Sequence, residues 1–153
     1  MGDTADRIHN YRYILSALVE RHSDERGAMG GGRLLVVDDE REITDLLDEH
    51  LRACGYDVAV ARDGAQALLI AAGRRPDAVL LDITMPGPDG EQVLARLRAL
   101  DPTVSVVMLT GNDDEALARR LLRAGAFDYL PKPFRLEVLE RVVATAVAAA
   151  RRA

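Results

Sequence analysis

Several features that define special classes of protein are missing or scarce in this sequence. Its 153 residues include one cysteine, Cys54, so the chain can form no internal disulfide, and a buried thiol in a reducing compartment is expected. No apolar run approaches the ~20 residues that a membrane-spanning helix requires. The N-terminus also lacks the basic and apolar regions of a signal peptide. We therefore expect a cytoplasmic protein with no membrane segment.

Basic charge is also scarce, and its distribution between residue types is uneven. The 25 acidic residues outnumber the 20 lysines and arginines, which leaves a formal charge of -5 and no surplus to neutralise nucleic-acid phosphates. Direct nucleic-acid binding is therefore not expected. All of these basic residues are arginines except Lys132, whose compact ammonium suits a tight site better than a guanidinium does. No Walker or Gly-x-Gly-x-x-Gly motif follows the first predicted strand, which disfavours nucleotide binding.

From Arg33 onward, short apolar runs alternate with stretches of helical period, the pattern of repeated strand–helix units around a parallel sheet. The first helix is predicted to end at Gly55, and Asp63, Asp89 and Asp113 are predicted N-caps of later helices. Most of the strands are continuously apolar, as expected when helices cover both faces of a sheet. The five predicted strands are Leu34–Val37, Val58–Ala61, Ala78–Leu81, Val104–Leu109 and Ala126–Leu130.

Residues 1–32 lie outside this alternation and are predicted to form an appended amphipathic helix followed by a glycine-rich linker ending at Gly32. Isolated helices of this length are marginal in water, so the apolar face should dock on the domain, a second copy or a partner. A cloning origin for part of the segment stays open, because residues 27–30 resemble a vector-derived scar. The three histidines, His9, His22 and His50, show no metal-ligand spacing, and His50 is expected to be half-exposed on its helix.

Reactive side chains follow four of the predicted strands at their carboxyl ends, the edge where open parallel sheets place their sites. Crowded carboxylates repel one another unless a cation joins them, and hard oxygen ligands suit Mg²⁺. Metal and ammonium together can offset the charge of a transferring phosphoryl group. The residues concerned are Asp38, Asp39 and Glu40 after the first strand, Asp82 after the third, Thr110 and Gly111 after the fourth, and Lys132 after the fifth.

Four stretches in this order resemble the receiver domain of bacterial two-component response regulators, the chemotaxis-regulator-like family. They are residues 34–40, LLVVDDE; 80–90, LLDITMPGPDG; 108–111, MLTG; and 126–134, AFDYLPKPF. The resemblance runs from Arg33 to about Ala150. It implies an α/β, flavodoxin-like, doubly wound fold with a five-stranded parallel sheet in the order 2-1-3-4-5 and five flanking helices. The receiver domain would then span residues 33–153, with the appended helix before it.

The resemblance also implies a role for each site residue. Asp82 would be the nucleophile that becomes an aspartyl phosphate. Asp39 would bind Mg²⁺ directly, Asp38 mainly through water, and Thr84 through its backbone carbonyl. Lys132 would contact the phosphoryl oxygens.

The hydroxyl of Thr110 would also contact the phosphoryl oxygens. The resemblance further implies that Thr110 and Tyr129 form a switch. Phosphorylation would draw Thr110 inward, and the surface of the fourth helix, fifth strand and fifth helix would change shape. The implied partners are a histidine kinase or histidine phosphotransfer protein and a downstream protein target. A homodimer through that surface or the appended helix stays open. The family further implies a cis peptide bond between Lys132 and Pro133.

Other interpretations of these residues remain open. Asp38 and Asp39 could simply cap the following helix, where acidic residues favour the helix dipole. A Mg²⁺-dependent phosphohydrolase acting through an aspartyl phosphate is a second function, although such an enzyme usually wants an acid two residues after the nucleophile, where Thr84 stands. A binding module with an unused pocket is a third. The sequence names neither the cognate kinase nor the output, and it does not fix the phosphoryl lifetime.

Overall fold

The structure is a computed structural model that describes residues 31–84, 90–111 and 115–153. Within these residues strands and helices alternate along the chain, as the hydrophobic pattern predicts. The strands are β1 (Arg33–Val37), β2 (Asp57–Ala61), β3 (Ala78–Asp82), β4 (Ser105–Thr110) and β5 (Asp128–Pro131). The helices are α1 (Arg41–Ala53), α2 (Gly64–Arg74), α3 (Gly90–Leu100), α4 (Glu115–Arg123) and α5 (Leu136–Arg152).

The five strands form one parallel sheet in the order β2-β1-β3-β4-β5, which confirms the predicted fold and strand order. Strand β1 shows why the fold needs helices on both faces, since its residues alternate between two apolar clusters. Leu34 and Val36 pack with α1 and α5, whereas Leu35 and Val37 pack with α2, α3 and α4. An uninterrupted apolar strand is therefore a central strand whose two faces are both covered.

The ends of several elements agree with the sequence signals. Asp63 caps α2, because its side chain accepts a hydrogen bond from the backbone N–H of Gln66. Gly55 follows α1 with a φ of 98°, the left-handed conformation that glycine adopts without strain. The fifth strand begins at Asp128, two residues later than predicted, although Phe127 still bonds through its N–H to the carbonyl of Val106. The predicted caps Asp89 and Asp113 lie outside the described residues.

The burial of one residue of α1 differs from the sequence prediction. His50 is buried, with 1% of its surface exposed, so the prediction of a half-exposed helix residue was wrong. The error arose because α5 packs over this position of α1, a long-range contact that helical periodicity does not show. Gly32 packs against Tyr56 and Val147 and accepts a hydrogen bond from the N–H of Asp57. The appended helix itself lies outside the described residues.

Among the described residues, no helix combines the length and apolar character required to cross a membrane.

Candidate functional site

The carboxyl ends of β1, β3, β4 and β5 meet at one edge of the sheet. Strands β2 and β3 lie on opposite sides of β1, so the direction of strand addition reverses there. This edge therefore contains the topological switch point where open α/β sheets bind ligands. Asp38 directly follows β1, Asp82 ends β3, Thr110 ends β4, and Lys132 follows β5. The structure therefore brings together reactive groups from positions up to 94 residues apart.

Lys132 connects the two buried carboxylates of this site. Its Nζ donates a hydrogen bond to Asp38 Oδ2 at 2.9 Å and lies 3.5 Å from Asp82 Oδ2. The side chains of Asp38 and Asp82 are 0% and 1% exposed, and that of Lys132 is 15% exposed. A lysine so placed balances negative charge that burial would otherwise make unfavourable.

The protonation of Asp38 and Lys132 reflects both burial and pairing. Burial raises the pKa of Asp38 to about 6, although the backbone N–H of Glu40 and the ammonium of Lys132 oppose this shift. For Lys132 burial favours the neutral amine, but the nearby carboxylates outweigh it and its pKa is raised. Lys132 therefore remains a cation at neutral pH, and Asp38 titrates much closer to neutrality than an ordinary aspartate.

The two carboxylate oxygens of Asp82 differ in their surroundings. Oδ1 accepts hydrogen bonds from the backbone N–H of Thr84 at 3.0 Å and from its hydroxyl at 2.8 Å. Oδ2 is buried and accepts no hydrogen bond from any residue that the structure describes. One oxygen is thus fixed by the following turn, while the other retains lone pairs for a metal ion or an electrophile.

The acidic residues at this edge have the chemistry of a divalent cation site. Asp38, Asp39 and Asp82 can each offer a carboxylate oxygen, and these oxygens lie within 4.8 Å of one another. An all-oxygen donor set suits Mg²⁺, and the exposure of Asp39 leaves room for the water ligands that Mg²⁺ usually retains. The unsatisfied Asp82 Oδ2 is a further sign that the site fits a cation.

The remaining predicted site residues lie along the same edge or behind it. Thr110 is buried, pairs with Pro131 in the β4–β5 register, and accepts a hydrogen bond at its carbonyl from the N–H of Lys132. Tyr129 is half-buried and packs against the apolar cluster on the α2–α4 face. The Lys132–Pro133 peptide bond is cis, as the resemblance implies.

The alternative of a simple helix cap for the first acidic pair receives no support from α1. The N-cap residue is Glu40, and no side chain forms a capping hydrogen bond there. Asp38 instead directs its two oxygens to the N–H of Glu40 and to Lys132. Its carboxylate is therefore part of the site at the sheet edge.

A second cluster of reactive side chains was missed by sequence reasoning. His50, Cys54 and Glu140 meet between α1 and α5, away from the carboxyl edge residues. The available signal was the spacing of four residues between His50 and Cys54, which puts both on one face of α1. Glu140 could not be assigned to the same place, because its contact with α1 depends on how α5 packs.

Comparison with known proteins identifies the chain's family. The sequence model of the response regulator receiver domain matches residues 34–144, which is more than half of the chain. The chain belongs to the response regulator receiver domain family. Within this receiver domain, the matched range contains every site residue discussed above, from Asp38 to Lys132.

Related sequences and structures agree with this assignment. Response regulator MprA of Mycobacterium sp. (strain KMS) is 46% identical over 107 residues, which cover 70% of this chain and 46% of MprA. The receiver domain thus spans about half the length of such relatives. The Francisella response regulator 1452 receiver domain superposes with a TM-score of 0.71 at 29% identity, covering 79% of this chain and 98% of that one. NtrX from Brucella abortus gives 0.74 at 33% identity, covering 79% and 28% respectively.

Proposed function

We propose that this receiver domain is a phosphoacceptor switch in which Asp82 receives a phosphoryl group with the help of Mg²⁺. The observation that carries the proposal is the arrangement of Lys132 between two buried carboxylates, 2.9 Å from Asp38 Oδ2 and 3.5 Å from Asp82 Oδ2. A buried aspartate beside a cation and an acidic cluster is suited to accept a phosphoryl group.

The phosphoryl donor in this proposal is a phosphohistidine on a histidine kinase or histidine phosphotransfer protein. Asp82 Oδ2 attacks phosphorus, an O–P bond forms, and the P–N bond breaks with its electron pair returning to the imidazole. Thr84 holds Oδ1 through two hydrogen bonds, so Oδ2 is the oxygen with lone pairs available for attack. The hydrogen bonds orient the nucleophile, which lowers the entropic part of the barrier.

Residues Asp38, Asp39 and Asp82, together with the backbone carbonyl of Thr84, would hold Mg²⁺. When bound, the ion offsets negative charge on the phosphoryl oxygens. Lys132 supplies a second positive charge close to Asp82, and Thr110 can donate its hydroxyl to the same oxygens. The positions of the residues at one edge of the sheet support these roles.

The switch in this proposal passes from Thr110 to the surface of α4, β5 and α5. Thr110 is joined to β5 through its carbonyl hydrogen bond to Lys132 N–H, so movement at the end of β4 is transmitted to β5. Tyr129 on β5 then turns, and a downstream protein target recognises the changed surface. Recognition by protein contacts fits the acidic charge, which does not favour direct nucleic-acid binding.

Phosphohydrolase activity is the less favoured function. A hydrolase of this type requires an acid close to the nucleophile to assist repeated turnover. The residue two positions after Asp82 is Thr84, whose hydroxyl donates to Asp82 Oδ1. This arrangement supports a phosphoryl group that persists long enough to signal.

Incubation with Mg²⁺ and acetyl phosphate, followed by mass spectrometry of the intact protein, tests the proposal. The protein should gain one phosphoryl group, and Asp82→Asn should gain none because the nucleophilic oxygen is lost. Asp45→Asn is a matched control, since it makes the same chemical change at an exposed position of α1. Continuous phosphate release without a modified protein would favour the hydrolase, and neither product would favour the binding module.

Replacement of the only lysine tests the charge arrangement separately. Lys132→Arg keeps the positive charge, but the planar guanidinium cannot take the position of a compact ammonium between two buried carboxylates. Loss of one well-placed donor typically slows catalysis by roughly 100-fold. We expect phosphorylation of Lys132→Arg to slow by about that factor, and an unchanged rate would show that a compact ammonium is not required between the two carboxylates.

A further inference from the structure

His50, Cys54 and Glu140 form a compact group of three different ligand types between the first and last helices. His50 Nε2 lies 2.9 Å from Glu140 Oε1 and 3.8 Å from Cys54 Sγ, and Cys54 Sγ lies 4.0 Å from Glu140 Oε1. The histidine lies in the last turn of α1, the cysteine directly follows α1, and the glutamate lies in α5. Two packed helices thus hold three donor atoms at the corners of a small triangle.

The size of this triangle matches the separation of ligand atoms around a tetrahedral zinc ion. Typical bonds to zinc are ~2.3 Å for sulfur and ~2.0–2.2 Å for nitrogen and oxygen, which place sulfur about 3.6 Å and oxygen about 3.4 Å from nitrogen. The sulfur distances in the protein are within a few tenths of an ångström of that value. The His50–Glu140 distance is that of a hydrogen bond and needs to lengthen by about half an ångström.

We propose that His50, Cys54 and Glu140 form a binding site for Zn²⁺, with water as the fourth ligand. A thiolate, an imidazole and a carboxylate together favour zinc, whereas the all-oxygen group at Asp38, Asp39 and Asp82 favours a hard cation such as Mg²⁺. The two groups therefore select different metals.

The burial of the cluster leaves one side open for the ion and its water ligand. His50 is 1% exposed and Cys54 is 3% exposed, but the side chain of Glu140 is 12% exposed. Zinc therefore enters past Glu140, and a solvent molecule completes the tetrahedron from the same side. The apolar residues around His50 and Cys54 in the α1–α5 core hold the helices that carry these ligands in place.

Zinc binding requires Cys54 to lose its proton. Burial, with a smaller contribution from Glu140, raises the pKa of the Cys54 thiol to about 12 in the metal-free protein. The ion replaces this proton, which passes to solvent, so zinc affinity increases with pH. The bound ion would also join α1 to α5 across 86 residues of sequence, stabilising the packing of the last helix.

Titration of the full chain with Co²⁺, a spectroscopic substitute for zinc, tests the site directly. Because Cys54 is the only cysteine, a thiolate-to-cobalt charge-transfer band can arise from no other place in the chain. The band should saturate at one equivalent and disappear when Zn²⁺ is added. Prior saturation with Mg²⁺ should not remove it, since the acidic group at the sheet edge is a separate site.

Variants distinguish a metal site from a simple hydrogen-bonded pair. Cys54→Ser should lose the band, and Glu140→Gln should keep the His50 contact but bind Zn²⁺ roughly tenfold or more weakly. Zinc should also raise the thermal unfolding midpoint of the wild-type chain and not that of Cys54→Ser. Circular dichroism checks that each variant folds, and Glu140→Gln remains informative if Cys54→Ser does not. Failure of millimolar Co²⁺ to produce a band, or zinc binding unaffected by Glu140→Gln, would overturn the proposal.

Discussion

At the scale of single residues, the buried carboxylate of Asp38 lowers stability at neutral pH in the absence of a metal. Its carboxyl group is fully buried, and its pKa is raised from 3.8 to about 6. Between these two pH values the folded protein keeps a proton that the unfolded chain has released. The free energy of unfolding therefore falls as pH rises through this window, by on the order of 3 kcal/mol for the full shift.

Asp38→Asn should remove this pH dependence. In metal-free buffer at pH 7 the variant should be more stable than the wild type by about 1–3 kcal/mol, because a neutral amide replaces a buried charge. The difference should disappear by pH 4, where the wild-type carboxyl is protonated. Urea denaturation from pH 4 to 7.5 in the presence of a chelator measures it.

When Mg²⁺ is present, the wild type should be more stable than Asp38→Asn. Saturating Mg²⁺ should stabilise the wild type more than Asp38→Asn, since the variant has lost one carboxylate of the acidic cluster. In metal-free buffer, a difference in the free energy of unfolding that stays constant from pH 4 to 7.5 would show that the pKa of Asp38 is not raised.

The convergence of Asp38, Asp82 and Lys132 could be predicted from the sequence because each of them directly follows or ends a strand. Asp38, Asp82 and Lys132 share no local pattern, but the rule that parallel strands present their carboxyl ends at one edge joins them. What the sequence could not give was the asymmetry of Asp82, whose Oδ1 is held by Thr84. That detail depends on the path of the turn after β3.

At the scale of secondary-structure elements, Gly90 is required where α3 begins beside the turn that follows β3. A Cβ at Gly90 would lie 2.9 Å from the backbone Cα of Ile83, the residue after Asp82. Gly90→Ala should therefore displace the turn or the helix and destabilise the protein by about 1–3 kcal/mol. Thermal unfolding measures the loss, and phosphorylation of Asp82 should slow in the same variant.

Gly73 provides a matched control with the opposite expected sign. It lies in α2, and no heavy atom lies within 4 Å of a Cβ built there. Gly73→Ala should leave phosphorylation unchanged and stabilise the protein by up to about 1 kcal/mol, through helix propensity alone. Equal effects of the two substitutions would show that the contact with Ile83 does not limit residue size at Gly90.

The elements themselves were largely predictable, and the errors have a common physical cause. Hydrophobic period and signals such as Asp63 and Gly55 act locally, so they predicted the five strands to within two residues, and also the start of α2 and the end of α1. His50 was misplaced because its burial depends on α5, which joins α1 only in the folded chain. The Glu140 contact was missed for the same reason, and with it the second ligand cluster.

At the scale of the whole molecule, the two outermost strands of the sheet, β2 and β5, can be compared with each other. Strands β2 and β5 are both edge strands, and both have half-buried residues, in contrast to the fully buried β3. Strand β5 is joined to the site through Lys132, whose side chain pairs with Asp38 and whose N–H bonds to Thr110. Strand β2 is joined to it by one backbone hydrogen bond, from the N–H of Asp38 to the carbonyl of Ala61. Because Lys132 contacts Asp82 directly, a signal that begins at Asp82 should affect β5 more strongly than β2.

Hydrogen–deuterium exchange with mass spectrometry can locate this response. Addition of acetyl phosphate and Mg²⁺ should change the exchange of peptides from α4, β5 and the start of α5 several-fold, whereas the exchange of peptides from β2 should change less. Local opening at an edge strand requires little free energy, so a new contact of Thr110 and Lys132 is enough to change the population of the open state. The wild-type chain treated with Mg²⁺ but without acetyl phosphate separates phosphorylation from ion binding. Equal changes in the exchange of β2 and β5 peptides would indicate general stabilisation by the metal. The proposed path through β5 would then have to be abandoned.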